Sequence, residues 1–298
     1  MPKNFDIIVC GSLHLDIVVA APHLPRVDET VPGTSWKKIC GGKGGNQAVM
    51  AAKAGANCAM IGCVGNDDFG QTLTNNLKNH NVNIDHVSVD AQHGTGMSAA
   101  ILQDDGEYGA VIVSGSNLAL QPDAAAAAWQ NLGAAKYLIL QNEIPEQVNI
   151  AVAQAARKSG ARVILNAAPA RKMSEQLLQL VDLLIVNRVE AEMLVGSNIT
   201  DSNAALAVLP KLAQPNQMVV ITLGAQGLVF QTSDERCNFI APHAVIVKSA
   251  HGAGDCFVGA LAQSLTGGHD LQSACTHANF VAAKFVSGQS GGGNSTDP

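Results

Sequence analysis

Short, almost wholly apolar runs alternate with amphipathic segments along most of this chain, and few folds accommodate that rhythm. The runs are Phe5–Cys10, Ala59–Val64, Tyr137–Gln141, Arg162–Asn166, Leu183–Val186 and Met218–Thr222, each four to six residues long and mostly bounded by Gly, Asn or Pro. Runs of that length without a polar face predict strands buried on both sides of a parallel sheet. Between them, Gly45–Ala54, Phe69–His80, Glu146–Lys158 and Ala204–Leu212 place apolar residues at helical spacing, and the alanines of 124–128 suit a further helix. The expectation is an α/β chain with a doubly wound, mostly parallel sheet, folded as one domain over residues 1–298. With 298 residues, 47% of them hydrophobic and 14% charged, the chain is long and apolar enough to bury one large core. In such sheets ligands bind beyond the carboxyl ends of the strands, so the polar residues just after each run carry the functional information.

Two stretches, about 16–40 and 95–113, break the alternation. The first is too long for a simple strand-to-helix loop. The second places the turn Asp104-Asp105-Gly106-Glu107 between two strand-like runs, a hairpin pattern. They form either a small separate sheet or a pair of irregular loops.

Bulk properties exclude several function classes. The net charge of −6 gives non-specific nucleic-acid binding no electrostatic support. No apolar stretch approaches the roughly 18 residues of a membrane span, and the N-terminal residues lack a signal-peptide layout. A cytoplasmic protein with no membrane or nucleic-acid partner is expected. The seven cysteines include no Cys-x-x-Cys pair and suggest neither a disulfide framework nor a zinc site.

Four segments at predicted strand ends could carry chemistry. In His251-Gly252-Ala253-Gly254-Asp255, small residues open a helix whose first amides make an anion site. There Asp255 could take a proton from a hydroxyl, or simply cap the helix. Gly41-Gly42-Lys43-Gly44-Gly45-Asn46 is no P-loop, because position 37 is Lys and position 44 is Gly, and it lacks the dinucleotide-binding glycine spacing. It suits close approach to a polyhydroxylated ligand, or an ordinary tight turn. His14 and Asp16 share one side of an extended segment, where Asp16 could accept bonds from two sugar hydroxyls. Asn187-Arg188-Val189-Glu190 suits a hydrated Mg²⁺ beside phosphates, and equally a capping box. Thr222–Gly227 reads as strand, turn, strand, and could line a nucleotide pocket or merely turn.

These segments, in this order, resemble the ribokinase-like (phosphofructokinase-B type) carbohydrate kinases. Gly-Gly-Lys-Gly-Gly-Asn-Gln-Ala at 41–48 and Gly-Ala-Gly-Asp-Cys-Phe at 252–257 are the most specific pieces, and the match runs from Asp6 to about Ser295. The resemblance implies ATP-dependent phosphorylation of a primary sugar hydroxyl, best fitting D-ribose to ribose 5-phosphate. Fructose, another ketose or a nucleoside are the competing substrates, and a non-catalytic sugar-binding homologue is the more distant alternative. It implies Asp255 as base, with Gly252, Ala253 and Gly254 around the phosphoryl group in flight. His14, Asp16, Gly42, Lys43, Asn46 and Glu143 would hold the sugar together with Asp255. Asn187, Thr222, Gly224, Gly227, Gly254, His277 and Asn279 would lie around the nucleotide, and Glu190 with Asn187 would serve Mg²⁺ through water. The stretches at 16–40 and 95–113 become a β-sheet lid through which a homodimer forms. Ser249 and Ser295 stand at the family's monovalent-cation site. The family's usual Asp-Thr is replaced by Ser249-Ala250, beside Lys248, so K⁺ activation is expected to be weak or absent. His14 stands where the family's ribose kinases usually present Asn.

Overall fold

The computed structural model describes residues 4–103 and 107–289. In chain order the strands are β1 (Asn4–Cys10), β2 (His14–Ala20), β3 (Ser35–Gly41), β4 (Cys58–Gly65), β5 (Asn83–Asp90), β6 (Gly96–Leu102), β7 (Tyr108–Val113), β8 (Ala134–Gln141), β9 (Arg162–Asn166), β10 (Leu183–Asn187), β11 (Met218–Thr222), β12 (Leu228–Gln231) and β13 (Cys237–Ile240). The helices are α1 (Lys43–Lys53), α2 (Asp68–Asn79), α3 (Pro122–Leu132), α4 (Glu146–Lys158), α5 (Glu175–Leu178), α6 (Arg188–Val195), α7 (Ser202–Leu212), α8 (Ala253–Thr266) and α9 (Leu271–Val286).

A nine-stranded sheet in the order β13-β12-β11-β10-β9-β8-β1-β4-β5 forms the frame. Every pair from β5 to β11 is parallel, and β12 and β13 add antiparallel strands at one edge. Successive side chains of a strand point to opposite faces, so each apolar run feeds two cores. In β1, Ile8 and Cys10 join Trp129, Val148 and Leu209 on the face covered by α3, α4 and α7. Ile7 and Val9 join Leu73, Phe257 and Leu261 on the face covered by α1, α2, α8 and α9. Helices on both faces are the doubly wound arrangement, and each of the six apolar runs forms or lies within a sheet strand.

The two irregular stretches build a second sheet in the order β3-β2-β6-β7. In it β2 runs antiparallel to β3 and parallel to β6, and β6 and β7 pair as a hairpin. Residues 104–106 of the expected turn lie outside the described residues. This small sheet begins where β1 ends, so its first strand carries residues 14 and 16 over the carboxyl edge of the large sheet.

Candidate active site

Helix α8 opens on Gly252, whose φ of 77° is left-handed, and Asp255 sits in the first turn, where it makes no capping bond. The Asp255 carboxylate instead reaches across to α1. Asn46 Nδ2 donates to Oδ2 at 2.9 Å and Gln47 Nε2 donates to Oδ1 at 2.9 Å. Gln47 is fully buried, and it is held in turn: the same amide donates to Asn166 Oδ1 at 3.0 Å, and its Oε1 accepts from Gln141 Nε2 at 2.7 Å. Asp255 is thus aimed by a polar network rooted in the carboxyl ends of β8 and β9. Burial pushes its carboxyl above the ordinary range, and Glu143 adds to this. The Asn46 and Gln47 bonds and the Lys43 charge act the other way.

The α8 amides divide unevenly. Ala253 N–H donates to Ala250 O at 3.2 Å. Among the described residues Gly254 N–H makes no hydrogen bond, and a side chain added at Gly254 would meet open space.

Across from α8, Gly42 caps α1 at φ 85°, and a Cβ there would fall 2.6 Å from His14 N. Only glycine lets the α1 start lie this close to β2. Glu143, in the turn after β8, accepts from Lys43 N at 2.9 Å and from Ser12 Oγ. His14 Nδ1 lies 3.9 Å from Glu143 Oε2, and its other ring nitrogen is buried without a partner. Burial lowers the His14 pKa against the opposing pull of Glu143 and Asp16, which favours the neutral ring. Asp16 Oδ1 accepts from Ser98 Oγ of β6 at 2.5 Å. His14, Asp16, Gly42, Lys43, Asn46, Glu143 and Asp255 are therefore gathered around one place, with Lys43 electrostatically coupled to His14, Asp255 and Glu190.

Farther along the same edge, Asn187 and Thr222 are register partners at the ends of β10 and β11. Asn187 and Glu190 form a full capping box: Glu190 N donates to Asn187 Oδ1 at 2.9 Å, and Asn187 N donates to Glu190 Oε2 at 2.8 Å. The box leaves Glu190 Oε1 without a hydrogen bond among the described residues, and burial raises the pKa of this carboxyl. A free carboxylate oxygen is a hard donor that suits a hydrated Mg²⁺, whereas the Asn187 oxygen is already engaged. Among the described residues no cluster of three or more His, Cys, Asp or Glu could hold a metal by itself. Gly224 and Gly227, at φ 59° and 88°, close the turn after Thr222. On α9, His277 is exposed and Asn279 Nδ2 donates to Ala241 O at 2.9 Å, so neither bonds to that turn. Ser249 is exposed, its Oγ accepting from His251 N at 3.3 Å, and Ser295 lies outside the described residues.

Ser12, Gln47, Ser98, Gln141 and Asn166 are site residues that sequence reasoning missed. Gln47 alone had a signal, since it adjoins Asn46 at the start of an otherwise apolar helix face.

The model of the pfkB family carbohydrate kinases matches residues 4–297. The chain is 35% identical over 297 residues to the ribokinase of Mus musculus, covering 98% of this chain and 91% of that protein. It is 32% identical over 279 residues to the ribokinase of Haemophilus influenzae, covering 93% and 91%. The structure of Arabidopsis thaliana ribokinase complexed with ribose and ATP superposes with a TM-score of 0.87 at 29% identity, covering 95% of this chain and 93% of that one.

Proposed function

We propose that this chain, which belongs to the pfkB family of carbohydrate kinases, phosphorylates the primary hydroxyl of D-ribose to give ribose 5-phosphate, with ATP as donor. The chain is a sugar kinase. The observation that carries the reading is the buried Asp255 carboxylate, held on both oxygens by Asn46 and Gln47 at the start of α8. Its raised basicity suits removal of a hydroxyl proton as the oxygen attacks phosphorus. The unengaged Gly254 amide and the positive end of α8 face charge developing on the transferring group. Ribose as substrate is supported by relatives named ribokinase and by the bound ribose of the Arabidopsis protein.

In this reading Asp16, Lys43, Asn46 and Glu143 hold the sugar hydroxyls, with Gly42 permitting the approach. Glu190 would hold Mg²⁺ through water, and the ion would supply charge neutralisation at the ATP phosphates. Asn187, Thr222, Gly224 and Gly227 line the nucleotide side in this reading, and His277 and Asn279 of α9 are assigned to it by the family resemblance alone. The proposed setting is the cytoplasm, where ATP is available as donor; no helix among the described residues is long and apolar enough to cross a membrane. The small sheet acts as a lid over the sugar, excluding the water that would otherwise hydrolyse ATP.

His14, 3.9 Å from Glu143, stands where the family's ribose kinases usually present Asn, so the competing acceptors are a ketose or a nucleoside. A coupled ADP-release assay over pentoses, ketoses and nucleosides tests both readings. The highest kcat/KM on ribose is expected, and a preference of tenfold or more for another acceptor overturns the assignment to ribose.

A further inference from the structure

A cleft of about 410 Å³ opens between the loop after β9 and helices α5, α6 and α7, on the sheet face opposite α8. Arg171, Lys172 and Lys211 line it, and no Asp or Glu does, although the whole chain carries a net charge of −6. Among the described residues none of the three cations is in an ion pair. Arg171 donates through Nη2 to Ile144 O at 3.2 Å, which fixes the guanidinium in the wall, yet its Nε is buried with no partner. The rest of the wall is apolar: Leu184 lies at the floor, Met173 is half-buried, and Met193 is 66% exposed at the mouth.

We propose that this cleft is a binding site for a small organic anion that carries an apolar body. The anionic head would sit among Arg171, Lys172 and Lys211, and the body against Met173, Leu184 and Met193. Both halves are required by what lines the cleft. A bare inorganic anion would leave the apolar wall wet, and a neutral apolar molecule would leave three like charges around the cleft without a counter-charge. Thioether side chains at the mouth can repack around bodies of different shape.

Calorimetric titration with phenyl phosphate, inorganic phosphate and benzyl alcohol tests the site on the intact enzyme. Phenyl phosphate is expected to bind saturably, and the other two about tenfold or more weaker. Lys211→Met, at an exposed position that does not disturb the fold, should weaken phenyl phosphate about tenfold, and Asp255→Asn should leave it unchanged. Affinity that survives Lys211→Met and Lys172→Met, or that is lost in Asp255→Asn, would place the anion elsewhere and overturn the proposal. Equal affinity for inorganic phosphate would do so too. The readout is binding, so it stands apart from whichever sugar proves to be the substrate.

Discussion

At the scale of single residues, the arrangement around Asp255 separates a base from a helix cap. A cap would direct its oxygens back to the α8 amides, whereas here both oxygens point to Asn46 and Gln47 of another helix. Replacing Asp255 by Asn keeps the shape and removes the proton acceptor, so kcat should fall about 10²–10⁴-fold with the thermal transition retained. Turnover within a few-fold of the parent would rule out the catalytic assignment. The pH dependence has a definite sign. The ionised carboxylate is the active form and burial raises its pKa, so activity should be lost on acidification at a pH above the ordinary Asp range. Asn46→Ala removes a bond that lowers this pKa, so the acid limb of kcat should move to higher pH. A limb that stays put or moves down contradicts the network. The cation site is a residue-scale matter as well. A hydroxyl at Ser249 offers a monovalent ion less charge than a carboxylate, and Lys248 adjoins it. Equal rates in potassium and sodium are expected, and a clear gain in potassium would refute this.

Elements matter because the residues that aim Asp255 lie on two helices that must stay in contact. Gly259, one turn beyond Asp255, faces Met50 and Ala51, one turn beyond Asn46 and Gln47. A Cβ there would fall 2.7 Å from Ala51 N and 2.8 Å from Met50 Cβ. Gly259→Ala must therefore push α1 and α8 apart, at a cost of about 1–3 kcal/mol of stability. It should also lower kcat, since the two helices carry the Asp255 bonds. Calorimetry with kinetics at one temperature checks both, and an unchanged kcat would show that the helix spacing does not set the base. The same elements explain what could be read beforehand. Strands such as β1 and β9 have both faces buried and show as unbroken apolar runs. β5, at the edge and half exposed, carries Asp85 and Ser88 and leaves no such run. Asp255, Asn46 and Glu190 stood out through local motifs. Gln47 did not, because its partners Gln141, Asn166 and Asp255 are 94, 119 and 208 residues away and only the sheet order brings them together. For Glu190 the capping box engages one carboxyl oxygen and leaves the other, so the box does not exclude the metal reading there, whereas the Asn187 oxygen is taken by the box.

For the whole molecule, the second sheet poses the question of what covers its outer residues. It has four strands and no helix of its own, yet Trp36, Val111 and Val113, which by register share the face opposite Asp16, are 64%, 68% and 52% exposed. Large apolar side chains left exposed on one face of an open sheet mark an interface more often than a free surface. A second copy of the chain, sheet against sheet about a two-fold axis, would bury them with the same residues on both sides. Because β2 carries His14 and Asp16 and pairs with β3 and β6 throughout, dimerisation would also hold in place the strand proposed to bind the sugar. Light scattering should therefore give a dimer, and Val111→Lys should give a monomer. If the lid is steadied by its partner, that monomer should show a raised KM for the sugar with a smaller change in KM for ATP, whose proposed site lies on the large sheet. A monomeric parent protein, or a monomeric variant with both constants unchanged, would detach the sheet's exposed face from sugar binding.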